Sequence, residues 1–147
     1  MDLHAYLSGY ADGEGCFCIT FNRSPRRVFG WDIRPSFSVS QNRDRAEILE
    51  VFLRTFGCGT IRPDRSDRTL KYEVRSVTDL VARVIPHFQR YPLLSSKRRE
   101  FAVFAEVCEM MHRREHLTVA GFQRIVRLAG RINQTGKKKY PRIEIKV

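Results

Sequence analysis

Two stretches of strict alternation organise the first third of the chain. Over residues 16–22, Phe17, Ile19 and Phe21 fall on one side and Cys18, Thr20 and Asn22 on the other. A polar interruption, Arg23-Ser-Pro-Arg-Arg27, separates this run from a second one. There Trp31, Ile33, Phe37 and Val39 oppose Asp32, Arg34, Ser36 and Ser38. Apolar residues at every second position mark half-buried strands, so the pair predicts a hairpin with a longish loop. Residues 2–12 are short and mixed in character, and the run Gly13-Glu14-Gly15 follows them. This reads as a helix stopped by glycine.

Beyond the hairpin the period lengthens. Ile48, Leu49, Phe52, Leu53 and Phe56 recur at helical spacing over 43–56, with Gly57 as a stop. Two short strands come next, over 60–64 and 70–75, joined by a turn rich in Asp and Arg. In the second, Leu70, Tyr72 and Val74 alternate with Lys71, Glu73 and Arg75. Thr78 is placed to cap a helix that uses Leu80, Val81, Val84, Ile85 and Phe88 and is disturbed by Pro86. Ser95 or Ser96 caps another, running to about Arg113, with Phe101, Phe104, Ala105, Cys108 and Met111 on one side. The last helix, over 118–133, uses Phe122, Ile125, Val126, Ala129 and Ile132, and Lys137, Lys138 and Lys139 form a basic tail or loop. The order αββα–ββα–αα predicts a single α+β domain over 1–147, with helices gathered on one face of a mostly antiparallel sheet.

Charge decides what the other face is for. Lys and Arg number 27 against 16 Asp and Glu, a formal net charge of +11. Such an excess repels itself in a compact chain and usually serves a polyanion. No long apolar run or strongly basic amphipathic helix points to a membrane, so the polyanion is nucleic acid. The start, Met1 to Gly15, is unlike a secretory signal, which predicts an intracellular protein of a bacterial cytoplasm or an organelle. Cys16, Cys18, Cys58 and Cys108 form no C-x-x-C pair and are expected to stay reduced. Alternation places Cys18, Thr20, Asn22, Arg34, Ser36, Ser38, Arg62, Asp64, Lys71 and Arg75 on the polar sheet face. That set carries the hydrogen-bonding groups that major-groove readout requires. Arg26, Arg27, Arg65 and Arg68, in the hairpin turns, are expected to hold phosphates or reach outer base pairs.

Leu7-Ser-Gly-Tyr-Ala-Asp-Gly-Glu-Gly15 resembles the motif that names the LAGLIDADG homing endonucleases. Cys16-Phe17, Phe37-Ser-Val-Ser-Gln41, Phe56-Gly-Cys-Gly59 and Tyr91-Pro-Leu-Leu-Ser-Ser-Lys97 fall where that family has its first and second strands, its helix-end glycines and a late lysine. The resemblance covers about the first 113 residues. It leaves 114–147 as a C-terminal helix and basic tail.

The resemblance implies a DNA-binding saddle of antiparallel strands and a homodimer, formed where two copies of the motif helix lie side by side. Leu7, Ser8, Gly9, Tyr10, Ala11 and Asp12 are then expected at the contact. It implies that Glu14 is the metal-binding catalytic acid, with the Gly13 carbonyl as a second ligand. Mg²⁺ is the expected ion, with Mn²⁺ able to substitute. Hard oxygen ligands and the negative end of a helix dipole suit such an ion. Gln41, Arg45 and Lys97 match positions that surround the metals and order water. Asp12 matches a structural position, a cap that holds the partner helix or a loop. The implied activity is metal-dependent double-strand cleavage of a pseudo-palindrome of about twenty base pairs, leaving short 3′ overhangs.

Three other readings remain open. A LAGLIDADG-derived RNA-splicing maturase or a non-cleaving DNA-binding protein would share the fold, but the acid at position 14 favours the nuclease. His112-Arg-Arg-Glu-His116 also matches the H-x-x-E-H signature of a zinc peptidase.

Overall fold

The computed structural model of the chain describes residues 1–65 and 68–132. Helix α1 (Leu3–Glu14) leads directly into strand β1 (Gly15–Arg23), which pairs with β2 (Trp31–Asn42). A 3₁₀ turn (Arg43–Arg45) precedes α2 (Glu47–Phe56), and β3 (Thr60–Pro63) and β4 (Thr69–Val74) follow. A helical rod then runs through α3 (Val77–Asp79), a π-helical stretch (Leu80–Val84) and α4 (Ile85–Arg90). Helices α5 (Lys97–His112) and α6 (Val119–Ile132) close the described chain, with a 3₁₀ turn (Glu115–Leu117) between them. The expected basic tail, Lys137 to Lys139, lies outside the described residues.

All strand pairs are antiparallel, in the order β1-β2-β4-β3. Phe17, Ile19, Ile33, Phe37, Val39, Tyr72 and Val74 point into a core that the helices cover. The expected α+β layering is therefore present. Phe37 is central: its ring lies within 5.1–6.4 Å of those of Phe17, Phe52, Phe56, Tyr72 and Phe88. Each fully buried side chain of this size contributes about 1.5–3 kcal/mol.

Three expected boundaries move. Glycine does not stop α1 at residue 12, because Gly13 stays helical and Glu14 is its last residue. The chain turns at Gly15, where a Cβ would stand 2.7 Å from the Ala11 carbonyl oxygen. The helix expected over 43–56 begins as a 3₁₀ turn and becomes α only at Glu47. It ends as expected on Gly57, whose φ of +69° suits a residue without Cβ. Thr78 lies inside its helix rather than capping it, since the Ser76 hydroxyl accepts from the Asp79 amide. Pro86 does not break that rod. It has no N–H to donate, and the turn before it widens to π spacing, with the Ile85 amide donating to the Leu80 carbonyl.

The motif helix is tied to this rod through a buried polar pair. The Ser8 hydroxyl donates to the Tyr91 carbonyl (2.6 Å), so the 3.1 Å contact from His87 Nε2 must carry the imidazole proton toward Ser8. Burial, and after it the nearby His4, lower the His87 pKa from 6.5 to about 4. An unfolded chain would protonate His87 at pH 6.5, whereas the folded one resists until about pH 4. The stabilisation is therefore full above pH 6.5 and is lost as pH falls from there toward 4. Melting across this window should show a loss on the order of 3 kcal/mol that His87→Gln removes. A His87→Gln variant with the wild-type pH slope would refute the assignment.

Candidate active site and nucleic-acid interface

Glu14 is exposed at the C-terminal end of α1, where the last helical carbonyls have no helical N–H to accept from. The Gly13 carbonyl belongs to that same turn. Lys97, the first residue of α5, reaches into it, its ammonium donating to the carbonyls of Gly15 (2.6 Å) and Ala11 (3.1 Å). A cation at a helix C-terminus is favoured by the dipole. Two of its three N–H groups are engaged there, which leaves one for a further acceptor.

Asp12 positions this lysine. Its carboxylate accepts from the amides of Leu94 (2.8 Å) and Ser95 (3.1 Å) and from the Ser95 hydroxyl, and Ser95 Oγ in turn accepts from the Lys97 amide. Burial works to raise the Asp12 pKa, but those hydrogen bonds and the Lys97 charge outweigh it and hold the carboxyl below its ordinary range. Gln41, at the end of β2, donates to the Tyr10 hydroxyl, so it too meets α1. Arg45 is not on a regular helix surface as expected. It ends the exposed 3₁₀ turn after β2.

Other expected contact residues face inward. Leu7, Ser8 and Ala11 are buried in their own chain, and Asp12 is spent on the 94–95 loop. The outward stripe of α1 is Leu3 (42% exposed), Tyr6 (47%), Gly9 and Gly13, flanked by half-buried Tyr10. A Cβ at Gly9 or Gly13 would meet nothing within 4 Å. Nothing among the described residues therefore requires either residue to be glycine.

On the opposite face of the sheet, a groove is lined by Cys18, Thr20, Asn22, Arg34, Ser36, Ser38, Lys71 and Arg75, all as alternation predicted, together with Cys16 and Glu73. Its cations are paired. Asp32 binds Arg34 (2.8 Å) and Arg27 (3.3 Å), Asp64 lies 3.8 Å from Lys71 and accepts from Ser40, and Glu73 binds Arg62 and Arg75. Asp64 sits in the β3–β4 turn. Its pKa is lowered, since the Arg65 amide, Lys71 and Ser40 together overcome the raising effect of burial. Arg26, Arg27, Arg65 and Arg68 are exposed in the two hairpin connections. Sequence reasoning passed over Asp32 and Glu73, although alternation puts both on the polar face.

The H-x-x-E-H reading fails on geometry. Helix α5 ends at His112, and His116 sits in a separate 3₁₀ turn, so the two imidazoles do not share a helical face. Among the described residues, no three His, Cys, Asp or Glu side chains gather where they could hold a metal. One copy of the α1 terminus offers a single carboxylate and helix-end carbonyls. These are hard oxygen donors that suit a divalent cation, but a full shell needs further oxygens, such as waters or phosphates. Cys16, Cys18, Cys58 and Cys108 form no disulfide.

A sequence model of a family described as LAGLIDADG endonuclease matches residues 7–108. A probable intron-encoded endonuclease 2 of Neurospora crassa is 28% identical over 95% of this chain and 32% of its own length. The crystal structure of the homing endonuclease I-TnaI superposes with a TM-score of 0.84 at 29% identity, covering 90% of this chain and 89% of that one. The structure of I-SmaMI bound to an uncleaved DNA target in the presence of calcium ions superposes with a TM-score of 0.85 at 28% identity, covering 100% of this chain and 54% of that one. The chain spans about a third or less of the length of the first curated relatives it matches.

Proposed function

The chain belongs to the LAGLIDADG endonuclease family, and from that premise we propose that it is one half of a site-specific DNA endonuclease, active as a homodimer inside a cell or organelle. One observation carries this reading. Glu14 immediately precedes the strand that lines the basic groove, so a duplex lying on β1 and β2 brings its phosphates to the acid. Two copies meeting through the outward stripe of α1 bring two such acids to one axis, and two equal half-sites follow from the symmetry. In that arrangement the groove residues hold the duplex. Lys97 offers its remaining N–H to a phosphate oxygen or a water, and its charge favours the negative charge that develops there. Gln41, held by Tyr10, lines the approach to the same end of α1. Glu14 and the Gly13 carbonyl of each copy would hold a divalent cation such as Mg²⁺ or Mn²⁺, which supplies a polarised phosphate and a readily ionised water. Cleavage across the two-fold axis leaves short 3′ overhangs.

Incubating the protein with a randomised duplex library and Mg²⁺, then sequencing the ends produced, tests the proposal. One long, nearly symmetric consensus is expected. Ends without a consensus, or selection of RNA alone, would refute it.

A companion prediction concerns Asp12. Replacing Asp12 by Ala should lower cleavage roughly tenfold or more, about 1.4 kcal/mol in the barrier. Duplex affinity should stay nearly unchanged, because Asp12 acts on the seat of Lys97 and not on the groove. Melting should fall by about 1.5–3 kcal/mol, the worth of hydrogen bonds to a charged acceptor. If affinity falls as far as the rate, Asp12 does not act through Lys97.

A further inference from the structure

Glu73 is unusual on this surface. It stands on β4, registered between Ser38 of β2 and Thr60 of β3, in the middle of the face that carries the basic groove. Yet it is only 7% exposed. A carboxylate that deep is costly unless it is paired. Two guanidiniums pair it: Arg62 Nη2 lies 2.6 Å and Arg75 Nε 2.7 Å from the same oxygen, Oε1. Both arginines remain about half exposed above it.

Resting on the DNA-binding reading above, we propose that Glu73 is a specificity-positioning residue. It clamps Arg62 and Arg75 into a preformed pair of forks that read two neighbouring guanines in each half-site. The engaged nitrogens decide which edges stay available. With Arg75 Nε on Glu73, the end edge formed by one hydrogen from each of its two Nη groups stays available, and that edge can pair with guanine O6 and N7. Arg62 spends one Nη2 hydrogen on Glu73 and keeps its other Nη2 hydrogen and Nη1 for a base. Since both nitrogens touch one oxygen, they are no farther apart than those two contacts laid end to end. That span is under two base-pair steps of about 3.4 Å. An arginine on an exposed strand loses rotamer freedom when it meets a base. The clamp removes that freedom before DNA arrives.

The clamp also sets an electrostatic signature. Glu73 cancels one of the two positive charges, so the pair adds specificity without adding full phosphate attraction. Glu73→Gln raises the formal charge above +11 by one and loosens both forks, because a neutral amide oxygen holds a guanidinium less tightly than a carboxylate. Loss of a merely structural acid would lower stability and weaken all binding together. Loss of the clamp should erase base preference at two adjacent positions of each half-site, roughly tenfold at each, and leave the other positions intact. Affinity for scrambled duplex should hold or rise, with a steeper salt dependence.

Selection from a randomised duplex library, followed by binding of selected and scrambled duplexes across a salt series, distinguishes these outcomes for wild type, Glu73→Gln, Arg62→Lys and Arg75→Lys. The lysine variants keep the charge and lose the fork. They should lose preference at the same adjacent pair, and they decide the matter alone if Glu73→Gln does not fold. A Glu73→Gln consensus identical to wild type overturns the proposal, as does loss at widely separated positions in the two lysine variants. A wild-type protein that selects no sequence overturns the DNA reading itself, whatever the variants do.

Discussion

Glu14→Gln is expected to reduce single-turnover cleavage by about a hundred- to a thousandfold or more, with duplex affinity nearly unchanged. Gln keeps the shape of Glu but removes the charge, and a neutral amide is a poor ligand for a hard divalent cation. Nothing else at the site depends on that charge. Lys97 is held by the Ala11 and Gly15 carbonyls, and Gln41 by Tyr10. Glu14 is exposed, so the fold should not register the change, and melting should match wild type. The groove proposed to hold the duplex lies along β1, β2 and β4 and is untouched. Single-turnover rates in Mg²⁺, together with binding in the absence of metal, decide the matter. A variant that cuts at the wild-type rate would remove Glu14 from the chemistry, and the homodimeric metal site with it.

The second large effect concerns assembly. Gly9→Leu is expected to give a folded monomer that no longer cleaves. Gly9 is exposed in the middle of α1, and a Cβ there meets nothing within 4 Å. In the isolated chain the substitution should therefore stabilise α1, since glycine in a helix interior costs about 1 kcal/mol relative to alanine. Among the described residues nothing gives glycine a reason at this position, whereas a second helix approaching closely would. Sedimentation should show the wild type as a dimer at micromolar concentration and Gly9→Leu as a monomer, with an unchanged or raised melting temperature. Half-site duplexes should still bind, because the groove lies within one copy. A Gly9→Leu protein that dimerises and cuts normally would show that the outward stripe of α1 is not the contact.

These two residues show how a motif divides its labour. Within Leu7 to Gly15, the sequence alone does not separate the positions that serve the chain itself from those that serve a partner. Helical spacing allows either assignment, and part of the first expectation was misplaced: Leu7, Ser8 and Ala11 face the core. The burial of Ser8 depends on His87, which lies 79 residues away. Asp12 similarly finds its partners at Leu94 and Ser95, 82 and 83 residues on. Position along the chain gives no measure of such distances, because long-range hydrogen bonds are made only when helices dock.

Alternation over β1 and β2, helical spacing in α2, α5 and α6, and the punctuation at Gly57 were legible in the sequence. Each records a local choice, a residue placed toward or away from the core, and burial enforces that choice one residue at a time. The polar face and its arginines followed from the same rule. The pairing of those arginines did not. Arg62 and Glu73 meet because β3 and β4 are in register, Arg75 joins them from beyond the strand end, and Asp32 gathers Arg27 from the hairpin loop and Arg34 from its own strand. The sequence by itself determined the order of elements and the sign of the surface, which depend on composition and period, and its resemblance to the LAGLIDADG motif implied the acid at position 14. The tertiary structure alone decided which charges touch and which face of α1 remains free, because a contact energy falls off within a few ångströms and only the packed fold sets distances that short.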